Sequence, residues 1–176
     1  GPGIRQAIQY LRNGELGQVR VGRGLCYKTR NTIGLTTGPQ AVPATCNYNL
    51  WCGPAPNTPP RRQQFHYDWH WLWHWGNGEL GNNAIHTLDV LRWGLKVEHP
   101  LRVTYNGGRY WHDDKQETPD TGTAVYDFGK AGMEWVQNAG NGAGPHTQAQ
   151  AFVYATSLSL GGGGLTLPAM AQFRGL

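Results

Sequence analysis

The chain is poor in charge, in cysteine and in long apolar runs. Of its 176 residues only 15% are Asp, Glu, Lys or Arg, against about 25% in an average globular protein. The 15 basic and 11 acidic residues leave a net charge of +4, and the basic ones are scattered. The one basic doublet, Arg61-Arg62, sits in a proline-rich stretch and reads as a solvated loop. It does not make the basic stripe that nucleic-acid binding needs, so no nucleic-acid partner is expected. No run approaches the roughly 18 apolar residues of a membrane span, and no membrane partner is expected either. Cys26, Cys46 and Cys52 are an odd set in a chain large enough to do without staples, which favours reduced thiols. No C-x-x-C occurs, which removes zinc-ribbon and thioredoxin-type chemistry. The opening GPGIRQAIQYL has no signal-peptide apolar core, and together with the cysteines this favours the cytoplasm.

What the chain has instead is aromatic rings and glycine: 8 Trp, 8 Tyr and 26 Gly. Such an aromatic load excludes disorder of the whole chain. The length fits one domain of roughly 100–200 residues, taken as 1–176. Ile4, Ala7, Ile8 and Leu11 recur at helical spacing and predict a helix over 4–13, with Gly14 as its stop. Residues 18–28 alternate as a strand, with Val19 and Val21 on one face. Residues 29–65 form a long irregular, proline-rich segment, ordered if Tyr48, Leu50 and Trp51 are buried. Residues 66–75, HYDWHWLWHW, read as extended. A second helix is expected over 80–95, followed by strands at 101–105, 123–128, 133–137, 149–155 and 157–160. Turn formers separate these strands, including the 138–144 run; residues 161–164 read as a glycine tract. The last dozen residues carry little pattern. Hairpin-spaced strands after two helices predict an α+β domain, an open, mostly antiparallel or mixed sheet with helices on one face.

Three features carry chemistry. On the second helix Leu80, Ala84, Leu88, Leu91 and Leu95 share one face, while Asn82, His86, Asp89 and Trp93 share the opposite one. An imidazole one turn from an amide and one turn from a carboxylate can move a proton near neutral pH. The bland alternative is a solvated polar face, with Asp89 paired to Arg92 or Arg5. Residues 76–81, GNGELG, match the dinucleotide fingerprint G-x-G-x-x-G in form. The preceding run is Trp- and His-rich, however, where a doubly wound sheet needs aliphatic residues. A glycine turn that lets backbone approach something closely is the better reading. His66, His70 and His74 step by four, but with Trp interleaved the segment reads as extended and not as a metal-binding helix, so no metal is expected. The indoles suit either core packing or stacking on a sugar ring.

The stretches LWCGPAP, FHYDWHW, GNGELGNNAIHTLDVLRWGL, NGGRY and ETPDT, together with the early AIQYLRNGELGQVRVGRGLCYKTRNTIG, resemble the Gfo/Idh/MocA oxidoreductases (the glucose–fructose oxidoreductase and inositol dehydrogenase family). The likeness covers about residues 4–137 and extends, with gaps, to Phe173-Arg174-Gly175. It implies an NAD(P)-dependent enzyme with an N-terminal Rossmann domain and a C-terminal domain on an open sheet that contacts substrate and builds the oligomer. This sequence resembles the second domain alone, without the Rossmann domain or the family's Glu-Lys-Pro lysine motif. NAD or NADP is therefore expected in an intact parent and not on this chain, and the chain alone should be catalytically incompetent. The resemblance places His86 at the family's acid/base histidine. It puts Asn82 where the family carries an Asp, a departure that removes a carboxylate partner; Asp89 is the substitute. It also places Lys28, Arg30, Trp73, His74 and Arg109 near substrate. The implied partners are a sugar or polyol and a second copy of the chain through the sheet. The alternatives are a non-catalytic carbohydrate-binding or scaffold protein, and a fragment of an NAD-dependent glycoside-cleaving enzyme.

Overall fold

The computed structural model describes residues 1–138, 150–155 and 170–173; the expected strand at 157–160, the glycine tract at 161–164 and most of the 138–144 turn lie outside them. Helix α1 (Pro2–Arg12) starts on a proline, whose fixed φ suits a first turn, and buries Ile8 and Leu11. Gly14, at φ +81°, turns the chain out of it. Strand β1 (Val19–Cys26) follows. Helix α3 (Ile85–Leu95) stops at Lys96, a non-glycine residue in the left-handed region at φ 56°. The remaining strands are β2 (Arg102–Gly108), β3 (Thr121–Asp127), β4 (Gly132–Asn138), β5 (Gln150–Ala155) and β6 (Met170–Phe173).

These six strands form one sheet in the order β2-β3-β4-β1-β5-β6. The β1–β4 pair is parallel and the other neighbours are antiparallel. Both long helices lie over one face, around a core of Ile8, Leu11, Val90, Leu91 and Met133. The open mixed sheet with helices on one face agrees with the sequence reading. Strand β6 does not: its four residues carry no alternating pattern, and their extended state rests on pairing with β5.

Two strand-level expectations need correction. Val19 and Val21 do not share a face, because the β1–β5 register slips between them. Val19 packs on the core, whereas Val21 is exposed; one extra residue flips every later side chain. From Gly22 on, the even residues face α3, and there is little room. A Cβ on Gly22 would sit 3.0 Å from Leu91 Cδ2.

Residues 66–75 are not extended. Asp68–Trp71 makes a 3₁₀ turn, closed by Asp68 N–H donating to Gln64 O at 2.9 Å and Gln64 N–H donating to the Asp68 carboxylate at 2.8 Å. His70 is buried while His66 and His74 are exposed, so the three do not line one face. The irregular segment before it contains one short helix, α2 (Tyr48–Cys52), capped by the Asn47 side chain. Tyr48 stacks on Trp51 at 5.7 Å. Leu50, by contrast, is 76% exposed, so the order of this segment does not come from burying it.

It comes in large part from Arg62. This residue is 1% exposed, against the expectation of a solvated doublet. Its guanidinium lies 4.4 Å from the Phe65 ring centre, 4.6 Å from that of Trp51 and 4.8 Å from that of Trp75. The Nε donates to Phe65 O at 2.7 Å. Arginine's planar, weakly hydrated cation is well suited to such a cage. Part of the Trp run thus packs on a buried cation, a possibility spacing alone did not raise.

Candidate functional site

The C-terminal end of β1 runs towards the loop that opens α3, and polar groups meet there. Glu79, buried in the GNGELG turn, takes two hydrogen bonds from Arg30: Nε to Oε2 at 2.9 Å and a terminal nitrogen to Oε1 at 2.7 Å. Arg30 also donates to the Tyr67 hydroxyl at 3.1 Å and lies over the Trp71 ring. Burial alone would lower the guanidinium's pKa, but the paired carboxylate outweighs it and raises it. The Cys26 thiol, 3.7 Å from Glu79 Oε1, is pushed up to about 12 by burial and then by the carboxylate. That holds it as an inert thiol at neutral pH. Lys28 Nζ donates to Asn83 Oδ1 at 2.9 Å.

Asn83, and not Asn82, meets Lys28 because the second helix begins with a wide π turn over Leu80–Ala84. One additional residue in that turn rotates the register there. Beyond it the expected faces hold. Ala84 and Leu91 are buried and Leu88 and Leu95 partly so, while His86, Asp89 and Trp93 are exposed. Among the described residues Asp89 forms no ion pair with Arg92 or Arg5.

The segment 109–120 closes the cleft from the other side. Asp120 accepts from the backbone N–H groups of Tyr110 and Trp111 at 3.0 Å. Asp114 accepts from Ile33 N–H at 2.9 Å and the Thr32 hydroxyl at 2.8 Å. Arg109 is tied to Asp114 at 2.5 Å, within this loop. His112 Nε2 meets Arg30 O at 2.7 Å, which pins the loop to the cleft.

Cavity sizes decide what each place can hold. The space among Lys28, Arg30, Trp71, Glu79 and Gln137 is only about 10 Å³, room for roughly one water. Next to it, sharing Glu79 and Gln137, is a hollow of about 330 Å³, also lined by Trp73, Tyr105, Asn77 and Leu80. Tyr105 is held over Gly107 and Gly122: a Cβ on either would fall within 3 Å of its hydroxyl. An exposed indole, a phenol ring and a few converging polar groups suit a sugar-sized ligand.

The structure therefore gathers Lys28, Arg30 and Trp73 around one cleft and leaves His74 on a separate groove. Glu79, Asn83, Tyr105 and Gln137 escaped sequence reasoning. Glu79 was hidden inside a motif whose glycines drew attention, and Gln137 lies in a strand whose alternation gives no sign of chemistry.

The nucleotide motif fails on geometry. A Cβ on Gly76 would lie 2.3 Å from His70 Cα, one on Gly78 2.8 Å from the Thr118 side chain, and one on Gly81 against the Asn77 side chain. The glycines of this turn serve close packing of protein on protein. Among the described residues no group of three or more His, Cys, Asp or Glu could hold a metal.

Known proteins agree with this architecture. A search of curated proteins finds no significant match. Solved structures share the fold. An NAD-binding oxidoreductase from Klebsiella pneumoniae aligns over 87% of this chain and 35% of its own, at 18% identity and a TM-score of 0.57. The apo scyllo-inositol dehydrogenase of Lactobacillus casei aligns over 98% of this chain and 37% of its own, at 14% identity and a TM-score of 0.52. The WlbA dehydrogenase of Bordetella pertussis, in complex with NADH and UDP-GlcNAcA, aligns over 85% and 36%, at 15% identity and a TM-score of 0.54. The chain thus spans about a third of the length of these relatives. A profile of the oxidoreductase family's C-terminal alpha/beta domain matches residues 17–131, which span β1 to β3, the second helix and every described lining residue of the cleft but Gln137, and the chain belongs to the C-terminal domain of the Gfo/Idh/MocA oxidoreductase family.

Proposed function

We infer that this chain is the substrate-side domain of an NAD(P)-dependent sugar or polyol oxidoreductase. The observation that carries the reading is the cleft itself. Trp73 and Tyr105 line a hollow of about 330 Å³, beside the Arg30–Glu79 pair and Lys28. His86 stands exposed on α3, three residues after Asn83, the partner of Lys28. In this reading rings stack on the sugar and Glu79 and Gln137 bond its hydroxyls. His86 takes up the proton of the hydroxyl that is oxidised, with Asn82, one turn earlier, as hydrogen-bond partner and Asp89 as nearby carboxylate. Because Arg30 is committed to Glu79, its role is to hold that carboxylate in place. The nucleotide, which accepts hydride when bound, sits in the part of the enzyme that this chain does not contain.

The domain also pairs with a second copy of itself. On the face away from the helices, Val21 and Val125 are exposed, and Arg23 pairs with Glu134 and Arg102 with Asp127. A broad face of valines, threonines and complementary charges suits a two-fold, self-complementary contact.

The catalytic reading is tested in the protein that carries this domain together with the family's nucleotide-binding domain. His86→Ala should lower kcat on the best polyol by roughly 10²–10⁴-fold, with the fold intact because His86 is exposed. A loss under about threefold would remove His86 from the mechanism.

A further inference from the structure

We propose that a second groove, separate from the cleft, binds the anionic group of a glycosyl-sized ligand: a sugar carboxylate or a sugar phosphate. The groove, of about 850 Å³, lies between the irregular segment and the segment 115–117, with Leu72 and Trp75 as apolar lining. That volume falls in the range of small-molecule sites, about 300–1,000 Å³. It shares no lining residue with either cavity of the cleft.

Two cations from distant parts of the sequence, Arg61 and Lys115, line it. Both are exposed, and among the described residues neither side chain has a hydrogen-bond or ion-pair partner. Their backbones, in contrast, are fixed. Lys115 N–H donates to Gly34 O at 3.1 Å. Arg61 follows the Pro59-Pro60 pair, where Pro60 is fully buried and its carbonyl accepts from Gln40 N–H at 2.8 Å. The one carboxylate lining the groove, Glu117, is engaged by Trp73 N–H at 2.8 Å. The hydroxyls of Thr37 and Thr58 line the same space without an intramolecular partner among the described residues, and His74 adds an imidazole.

What sets this pair apart is that both cations line one groove together with hydroxyl donors. Arg62 is buried against aromatic rings, and Arg30 and Arg109, half-buried, are each paired with a carboxylate. Arg61 and Lys115 have anchored backbones and unneutralised heads, with hydroxyl donors beside them. Two like charges facing one cavity repel, and an anion between them reverses that cost. Guanidinium and ammonium groups recognise carboxylate and phosphate through charge-assisted hydrogen bonds. The apolar floor adds a surface for a sugar ring.

The test is calorimetric titration of the 176-residue chain with inorganic phosphate, glucuronate, glucose 6-phosphate and neutral glucose. Because the readout is binding alone, it does not depend on turnover or on the role given to His86. The expected result is saturable binding of the sugar anions, weaker binding of phosphate and none of glucose in this groove. Affinity should fall at least about tenfold in Arg61→Ala/Lys115→Ala, and fall as salt is raised. Both positions are surface side chains without partners, so circular dichroism should show an unchanged fold. No binding of any anion, equal binding of glucose, or anion binding unchanged in the double variant would each overturn the proposal. Saturation by glucuronate alone assigns a carboxylate ligand, and by glucose 6-phosphate alone a phosphate ligand.

Discussion

At the scale of single residues, the buried charges organise the irregular half of the chain. Arg62 fills a cage of three rings, and burial lowers its pKa. Its stabilising role is packing and cation–π attraction, the latter about 2 kcal/mol when desolvated. Arg62→Ala should therefore cost roughly 2–4 kcal/mol through lost contacts and a cavity. Arg62→Met, which keeps length and volume, should recover more than half of that loss in urea unfolding. A Met variant as unstable as the Ala variant would mean that charge, not packing, holds the segment. Asp114 and Asp120 act at the same scale. Burial pushes each carboxyl up, but hydrogen bonds from Gln116 and Ile33 N–H, and from Tyr110 and Trp111 N–H, outweigh it and hold both below the usual value of 3.8. A depressed folded-state pKa contributes stability above the unfolded pKa, and that contribution is lost as pH falls through the folded value. Stability should thus decline as pH falls below about 4, and Asp114→Asn/Asp120→Asn should be destabilised at neutral pH with a flatter acid slope. An unchanged slope in urea titrations between these pH values would contradict the assignment.

At the scale of elements, the glycine turn before α3 shows how one motif can mislead. Its glycines signal a close approach of backbone to something, and that something is His70, Asn77 and Thr118. Gly76 is the sharpest case, since the clash of a Cβ there is with backbone and cannot be relieved by a rotamer. Gly76→Ala should destabilise by roughly 1–3 kcal/mol. Gly3→Ala, in α1 with open space around it, should stabilise by about 0.5–1 kcal/mol. Thermal unfolding of the two variants checks the contrast, and similar shifts would show that the turn can open. The second helix was legible from its leucine spacing, and its exposed His86 face followed from the same arithmetic. The π turn was not legible. Nothing in Leu80–Ala84 marks it, yet it decides that Asn83, and not Asn82, touches Lys28.

At the scale of the whole molecule, the open sheet has one face that no helix of the described residues covers. If that face pairs two copies, Val125→Lys should halve the mass seen in sedimentation without loss of fold, because Val125 is 43% exposed in the single chain. A wild-type chain that sediments as a monomer would remove the pairing. The groove lined by Arg61 and Lys115 belongs to this scale too, since it is formed by segments more than fifty residues apart.

The sequence by itself determined the elements that repeat. Helical leucine spacing, strand alternation and turn glycines yielded α1, α3 and β1 to β5, and the long motifs yielded the family. Such patterns are local, set by the 3.6- and 2-residue periods of the backbone. Tertiary structure alone decided the rest. The bulge that separates Val19 from Val21, the cage around Arg62 and the grip of Arg30 on Glu79 all rest on contacts between segments apart in sequence. A buried arginine and a solvated one have the same letter and the same neighbours in sequence. What separates Arg62 from Arg61 is whether three rings close around the cation, and only the folded chain brings them there.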